Sequence, residues 1–201
     1  MNVGFDSLSI IIQINPLKNH SQKLSLKILD CFTLCLLLIA HSLNPFRLAP
    51  ENSIVISAGL NPLLQTNLMI IHPPLIFAFY SCCVWIGCIS ISKMVTNYKS
   101  WKTKDFLEEI RIPALMAFAI GSFGIGLGGF WAYTVLDWGG YWAWDPVETA
   151  SLLPWISVMI LLHLRLKKNK IPKEWVLLAS ISPVWFSLLA TVVTRAGGVW
   201  A

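Results

Sequence analysis

LMIIHPPLIFAFYSCCVWIGCISIS, residues 68–92, runs for 25 positions without an Asp, Glu, Lys or Arg. A helix rises ~1.5 Å per residue, so about 20 apolar residues cross the ~30 Å hydrocarbon core of a bilayer. This stretch is therefore long enough to span. Working outward, 112–135 is uncharged over 24 residues and 175–194 over 20. Two weaker runs complete the set: 149–164, of 16 residues, and 28–43, which contains Asp30. Both are short for a bilayer and rely on local thinning or on snorkelling by Lys27, Arg47 or Arg165. Of the 201 residues 56% are hydrophobic and 12% charged, and the latter is about half the ~25% of a globular chain. So little charge cannot cover a soluble surface. The fold class expected is an all-α integral membrane protein of about five transmembrane helices.

The basic residues set its orientation. Segments 1–27, 93–111 and 165–173 hold thirteen of the fifteen lysines and arginines, and only Arg47 and Arg195 fall on the other side. Such a bias places the amino terminus inside and the carboxyl terminus outside. It also accounts for the formal net charge of +5 through membrane topology. No nucleic-acid partner is implied; the partner is the lipid bilayer. Residues 1–27 form an inner polar tail and 28–201 a membrane bundle. Residues 1–23 lack the layout of a cleavable signal and the Arg-rich composition of a transit peptide. Cys31, Cys35, Cys82, Cys83 and Cys88 all lie in apolar runs, with no C-x-x-C or C-x-x-C-H motif among them. Thiols so placed act as small hydrophobes. Gly121, Gly124, Gly126, Gly128 and Gly129 crowd the third run, with Gly124 and Gly128 at G-x-x-x-G spacing. That pattern lets helix backbones approach closely, a packing role.

Chemistry is concentrated in one outer segment, 131–155. It contains Trp131 and Tyr133 and then WGGYWAWDPVETASLLPW from Trp138 to Trp155, with five of the ten tryptophans of the chain. An aromatic belt at the membrane interface is the plain reading. A belt does not need Gly139-Gly140 as a bend, or Asp145 and Glu148 beside the rings. Clustered indoles make a flat apolar platform edged with N–H donors, suited to a planar, hydrophobic, partly charged ligand.

This segment resembles the tryptophan-rich "WWD" signature of haem-handling membrane proteins of cytochrome c maturation, CcmF, CcmC and CcsA. Asp145-Pro146-Val147-Glu148 with Ala150-Ser151 and Pro154-Trp155 is most similar to CcmF-like haem lyases, as is Asn61-Pro62-Leu63-Leu64-Gln65 leading to His72-Pro73-Pro74. The likeness extends over about residues 44–198. Tyr141 stands where the family usually has Trp, and Thr149 where it has Asn. In that family one outer histidine pair, flanking the tryptophan segment, holds the haem awaiting attachment. A second pair within the helices holds a b-type haem. The resemblance assigns His72 to the outer pair and His163 to the inner pair. It implies haem as cofactor and as transient substrate, with the iron as the metal that these histidines ligate. The second member of each pair would lie beyond Ala201. The expectation is therefore a fragment or a split protein, partnered by a complementary CcmF-like polypeptide that supplies the missing histidines. Splitting is a mitochondrial habit of the family, and the Ile/Asn/Lys/Ser-rich composition favours the mitochondrial inner membrane over a bacterial cytoplasmic one.

Each site residue has a plainer reading beside the functional one. His72 at the interface could simply be solvated; if it ligates, Pro73 should hold it extended and fix its direction. His163 near a helix C-terminus could complement the dipole, although ionisable residues at membrane depth are functional candidates. His41 could be an interface residue or stand in for the absent outer ligand. Asp145 and Glu148, with Pro146 between them and a first-turn preference of its own, could cap the fourth helix. Arg195 could meet a haem propionate or anchor at the interface. The expected haem-binding set is His72, Trp138, Tyr141, Trp142, Trp144, Asp145, His163 and Arg195, with His72 and His163 as axial ligands. No side chain stands out as a nucleophile or general base. The function implied is the haem-binding subunit of a haem lyase (cytochrome c synthetase) complex, served by a haem chaperone and acting on apocytochrome c. The alternative is a haem-transfer protein of the CcmC or CcsA type without ligation activity. A structural remnant or a transporter are further readings, the latter without an inverted repeat to support it.

Overall fold

A computed structural model of the chain describes residues 20–44, 66–97, 100–135, 140–166 and 171–196. Regular structure among the described residues consists of six helices: α1 (His20–Leu43), α2 (Leu68–Asn97), α3 (Thr103–Glu109), α4 (Arg111–Val135), α5 (Pro146–Leu166) and α6 (Lys173–Arg195). All but the seven-residue α3 are long and apolar enough to cross a membrane. The chain is an all-α, multi-pass membrane protein.

The two short runs are longer as helices. α5 has 21 residues and begins at Pro146, because the Asp145 carboxylate accepts the backbone N–H of Glu148 at 2.8 Å and caps the first turn. α1 begins at His20, within the polar tail, where buried Ser21 and Ser92 hydroxyls meet at 3.2 Å. The structure corrects the extended geometry expected of His72. His72, Pro73 and Pro74 all lie inside α2. Neither proline can donate to the carbonyl four residues back, and the turn before them is closed instead by Met69 and Ile70 N–H groups on Thr66 and Asn67, each at 3.2 Å. Packing against α4 overrides the local proline preference.

α2 is the central helix, with Phe79, Cys83 and Ile86 fully buried. α4 lies antiparallel against it along a groove of glycines. A Cβ on Gly121 would come within 2.9 Å of the Phe79 ring, on Gly124 within 3.0 Å of Ile76, and on Gly128 within 2.7 Å of His72. The absence of those β-carbons is what allows the two backbones to approach. On another face of α2, Gly87 admits Val184 of α6, which a Cβ would meet at 2.9 Å. α1 joins through Leu29 against Val84 and Cys88.

Charge gathers at one end of the bundle. Lys93 of α2 bridges Glu109 at 2.7 Å, while Glu108 takes Arg165 of α5 at 2.7 Å and Arg111 at 3.4 Å. Lys173 lies over the Trp101 ring at 5.2 Å. α3, which no apolar run marks, buries Phe106 and Leu107 here and latches the ends of α2, α4 and α5 together. Cys82, Cys83 and Cys88 are buried free thiols, whereas Cys31 and Cys35 are exposed on α1.

The groove yields a stability prediction. Gly121→Ala should destabilise the purified protein by about 1–3 kcal/mol through overpacking against Phe79, read as a lower Tm in detergent. Adding Phe79→Leu to the same chain should recover part of that loss. Equal melting of the single variant and wild type would refute the close approach.

Candidate functional site

At the end of the bundle away from the ion pairs, α2, α4, α5 and α6 enclose a cavity of about 460 Å³, within the ~300–1,000 Å³ of small-ligand and cofactor sites. Its walls carry His72, Trp131, Trp142, Asp145, Glu148 and Arg195 among apolar side chains, with Thr191 and Thr194 beside the arginine.

His72 is held from three sides. Its Nδ1 lies 2.9 Å from the Gly124 carbonyl. A carbonyl only accepts, so Nδ1 carries the proton and the lone pair of the neutral ring is on Nε2. Gly128 supplies the space for the imidazole. Trp131 meets it edge-on, with ring centroids 5.7 Å apart and planes at 64°. The two glycines read as packing residues thus also seat the histidine, one by its carbonyl and the other by lacking a side chain.

The tryptophan turn is fixed just as closely. The Tyr141 hydroxyl donates to the Gly126 carbonyl, and Gly129 leaves room for the tyrosine ring and backbone. Trp142 then enters the cavity wall, with its indole N–H buried and unpartnered. The Ala143 N–H donates to Glu148 Oε2 at 2.9 Å, while the Glu148 N–H donates to Asp145 Oδ1 at 2.8 Å. This is a capping box whose glutamate reaches two residues beyond the cap. Between them Trp144 has φ 58°, the left-handed region that a bulky side chain enters only when its surroundings require it. Its ring is 69% exposed and stands edge-on to Trp142, with centroids 6.1 Å apart. Glu148 is 9% exposed, and its second oxygen, Oε1, is buried without a partner beside the cavity.

Four of the expected site residues therefore come together around one cavity: His72, Trp142, Asp145 and Arg195. Tyr141 props the turn from behind, and Trp144 points outward. Trp138 lies outside the described residues. His163 stands elsewhere, exposed on α5 two residues from Arg165 and its Glu108 partner, with Nδ1 2.8 Å from the Met159 carbonyl. Trp155 is a packing residue: its N–H donates to Ser122 at 2.9 Å and its ring stacks on Phe118. The wall also contains Trp131 and Glu148, which the sequence flagged only as part of the segment and as a cap.

The cavity thus combines an apolar helix bundle, one oriented imidazole and a capped tryptophan turn in a multi-pass membrane protein. The family model for the cytochrome C assembly protein matches residues 4–199, and the chain belongs to that family. Among relatives, it is 35% identical over 182 residues to the cytochrome c-type biogenesis protein NrfE of Haemophilus influenzae, covering 89% of this chain and 28% of that one. It is 36% identical over 166 residues to the cytochrome c-type biogenesis protein CcmF of Escherichia coli, covering 81% of this chain and 25% of the relative. The chain thus spans about a quarter of the length of these relatives. A solved structure of the cytochrome c heme lyase CcmF shares the fold, with a TM-score of 0.74 at 24% identity, covering 96% of this chain and 30% of that one.

Glu148 offers a direct check on the turn. Glu148→Ala should lower stability by about 1–3 kcal/mol by leaving the Ala143 N–H unmet, and should speed proteolysis within 140–146. Glu148→Gln, which keeps an acceptor, should lie between that variant and wild type. Unchanged proteolysis in the alanine variant would separate the carboxylate from the turn.

Proposed function

We propose that this chain presents haem at the tryptophan end of the bundle for covalent attachment to apocytochrome c, as the haem-binding part of a CcmF-like lyase. The observation that carries the reading is His72, its Nδ1 fixed on the Gly124 carbonyl and its Nε2 left for a ligand, in a cavity shared with Trp131, Trp142 and Arg195. The donor set fits haem. Neutral imidazole suits the iron; indole faces and edges suit the macrocycle, and the unmet Trp142 N–H offers a donor at the wall; the Arg195 guanidinium suits a carboxylate. Bound there, haem would supply the vinyl groups to which apocytochrome thiols add. The chain's own residues bind, orient and screen. His72 ligates, the Gly124 carbonyl fixes the tautomer and orientation of that ring, and the apolar wall keeps water from the reacting edge.

Among the described residues, His72 is the one histidine lining the cavity, so the second axial ligand comes from outside them. A complementary CcmF-like polypeptide is the source we propose, alongside a haem chaperone that delivers the ligand. His163 is proposed as one ligand of a second, b-type haem, seated on the outer surface of α5 against another helix, since the imidazole faces away from this bundle. Haem there would serve to keep the substrate iron reduced. A transfer protein of the CcmC or CcsA type would not need it. Loss of attachment with loss of one haem in His163→Ala therefore favours the lyase, and attachment unaffected by that change favours transfer. The tryptophan end is taken as the outer face from the basic bias, and the host as the mitochondrial inner membrane from composition. Fractionation would distinguish this from a bacterial cytoplasmic membrane, the relatives named above being bacterial.

The spectrum of the affinity-purified complex tests the site. His72→Gly should lower the haem held at the tryptophan end about 10- to 100-fold while the haem ascribed to His163 stays, with added imidazole restoring the lost low-spin component. Gly128→Ala, which displaces the ring, should weaken retention about tenfold. Full haem retention in His72→Gly would overturn the reading. Trp144→Gly should relieve the left-handed backbone and raise stability by about 1 kcal/mol while lowering haem retention. A stability gain with retention unchanged would leave the exposed indole with no part in binding.

A further inference from the structure

We infer that the outward face of α1 is the docking seam for another transmembrane helix, and that this helix brings a lysine or arginine to Asp30 at mid-membrane depth. Two contacts fix where Asp30 lies. Ser21 meets Ser92, and Leu29 packs on Val84 and Cys88, so antiparallel α1 and α2 place Asp30 about level with residues 83–87. That is roughly one helical turn from the middle of the 68–92 run and ~10–15 Å from Lys93, which bridges Glu109 at the charged end. Asp30 is exposed and points away from the bundle to which it belongs. The ion pairs among the described residues join Lys93, Arg111 and Arg165 to Glu108 and Glu109, leaving Asp30 without one.

A carboxylate cannot stay there facing lipid. An ionised side chain at the bilayer centre is strongly disfavoured, and such residues turn to a bundle interior or to a partner. Lys23 and Lys27 escape by snorkelling, since helix side chains lean toward the amino terminus and these have long stems. Asp30 is too short to reach the charged end. Its neighbours describe the missing partner. Lys23, Lys27, Asp30, Leu34, Leu37 and His41 are all exposed and follow one another at spacings of four and three. This is the heptad seam along which two helices interlock, and a single polar position on it fixes register. A second copy of this chain would oppose Asp30 to Asp30, so charge complementarity selects a different helix, one with a basic side chain. The inference is independent of the haem reading.

Cys31 and Cys35, exposed on the same helix, are natural probes. Native membranes would be treated with benzophenone-maleimide, irradiated, and the peptide crosslinked to the purified chain mapped by mass spectrometry. The expected product is a transmembrane peptide of another polypeptide, bearing a Lys or Arg within one turn of the crosslink. Asp30→Leu should lower its yield about tenfold, Asp30→Asn less. Asp30→Lys combined with an acidic residue at the mapped basic position should restore it. The inference is overturned if Asp30→Leu crosslinks like wild type, if the product joins two copies of this chain, or if Lys27→Leu causes an equal loss, which would indicate an in-chain pair. It also fails if Cys31 reacts with the lipid-soluble maleimide as fast in native membranes as in detergent. That last comparison needs no variant to fold.

Discussion

The distance between α2 and α4 governs everything at the tryptophan end. Gly121, Gly124 and Gly128 present bare backbone to Phe79, Ile76 and His72, and in a bilayer, where apolar side chains gain nothing from leaving lipid, such close van der Waals contact is the main source of helix association. The same closeness brings the Gly124 carbonyl within hydrogen-bond reach of an imidazole on the neighbouring helix. Gly126 and Gly129, on an adjacent face of α4, receive Tyr141 and so hold the turn that leads into α5. One glycine-rich helix thus positions His72 and the tryptophan turn together.

The turn itself is a conflict settled by polar bonds. Trp144 occupies a backbone region that costs of order 1–3 kcal/mol for a non-glycine residue. Asp145 and Glu148 hold it there through two backbone N–H groups, one on each side of the strained residue. The strain accompanies a geometry in which Trp142 enters the cavity wall and Trp144 stays on the surface, so alternate rings of one short segment face opposite ways. Glu148 serves both the fold and the cavity, since one oxygen is spent on Ala143 and the other is left bare.

How much was legible in the sequence follows from how local each cause is. Uncharged runs such as 68–92 and 112–135 mark helices because the bilayer permits nothing else. The apolar run alone opens α5 at Thr149, three residues late, whereas the cap reading of Asp145 and Glu148 with Pro146 in the first turn matches the observed start. His72 was read as extended because the proline rule is local, whereas packing on Gly128 depends on a register between residues 56 positions apart. The signature motif found the turn but not its facing: Tyr141, Trp142 and Trp144 look alike in sequence and end up as prop, wall and surface. His72, Asp145 and Arg195 could be named individually, but only the fold makes them neighbours.

The latch formed by α3 makes the bundle asymmetric along its axis. At one end Glu108 and Glu109 tie three helices through arginine and lysine, with Trp101 packed beneath Lys173. At the other, the same helices part around open space. Charged contacts thus gather where the helices meet closely, and the cavity lies at the opposite end. His72 of α2 and Arg195 of α6 both line that space. Side chains from α2, α4, α5 and α6 can therefore vary around that space without disturbing the ion pairs that tie α2, α4 and α5 at the far end.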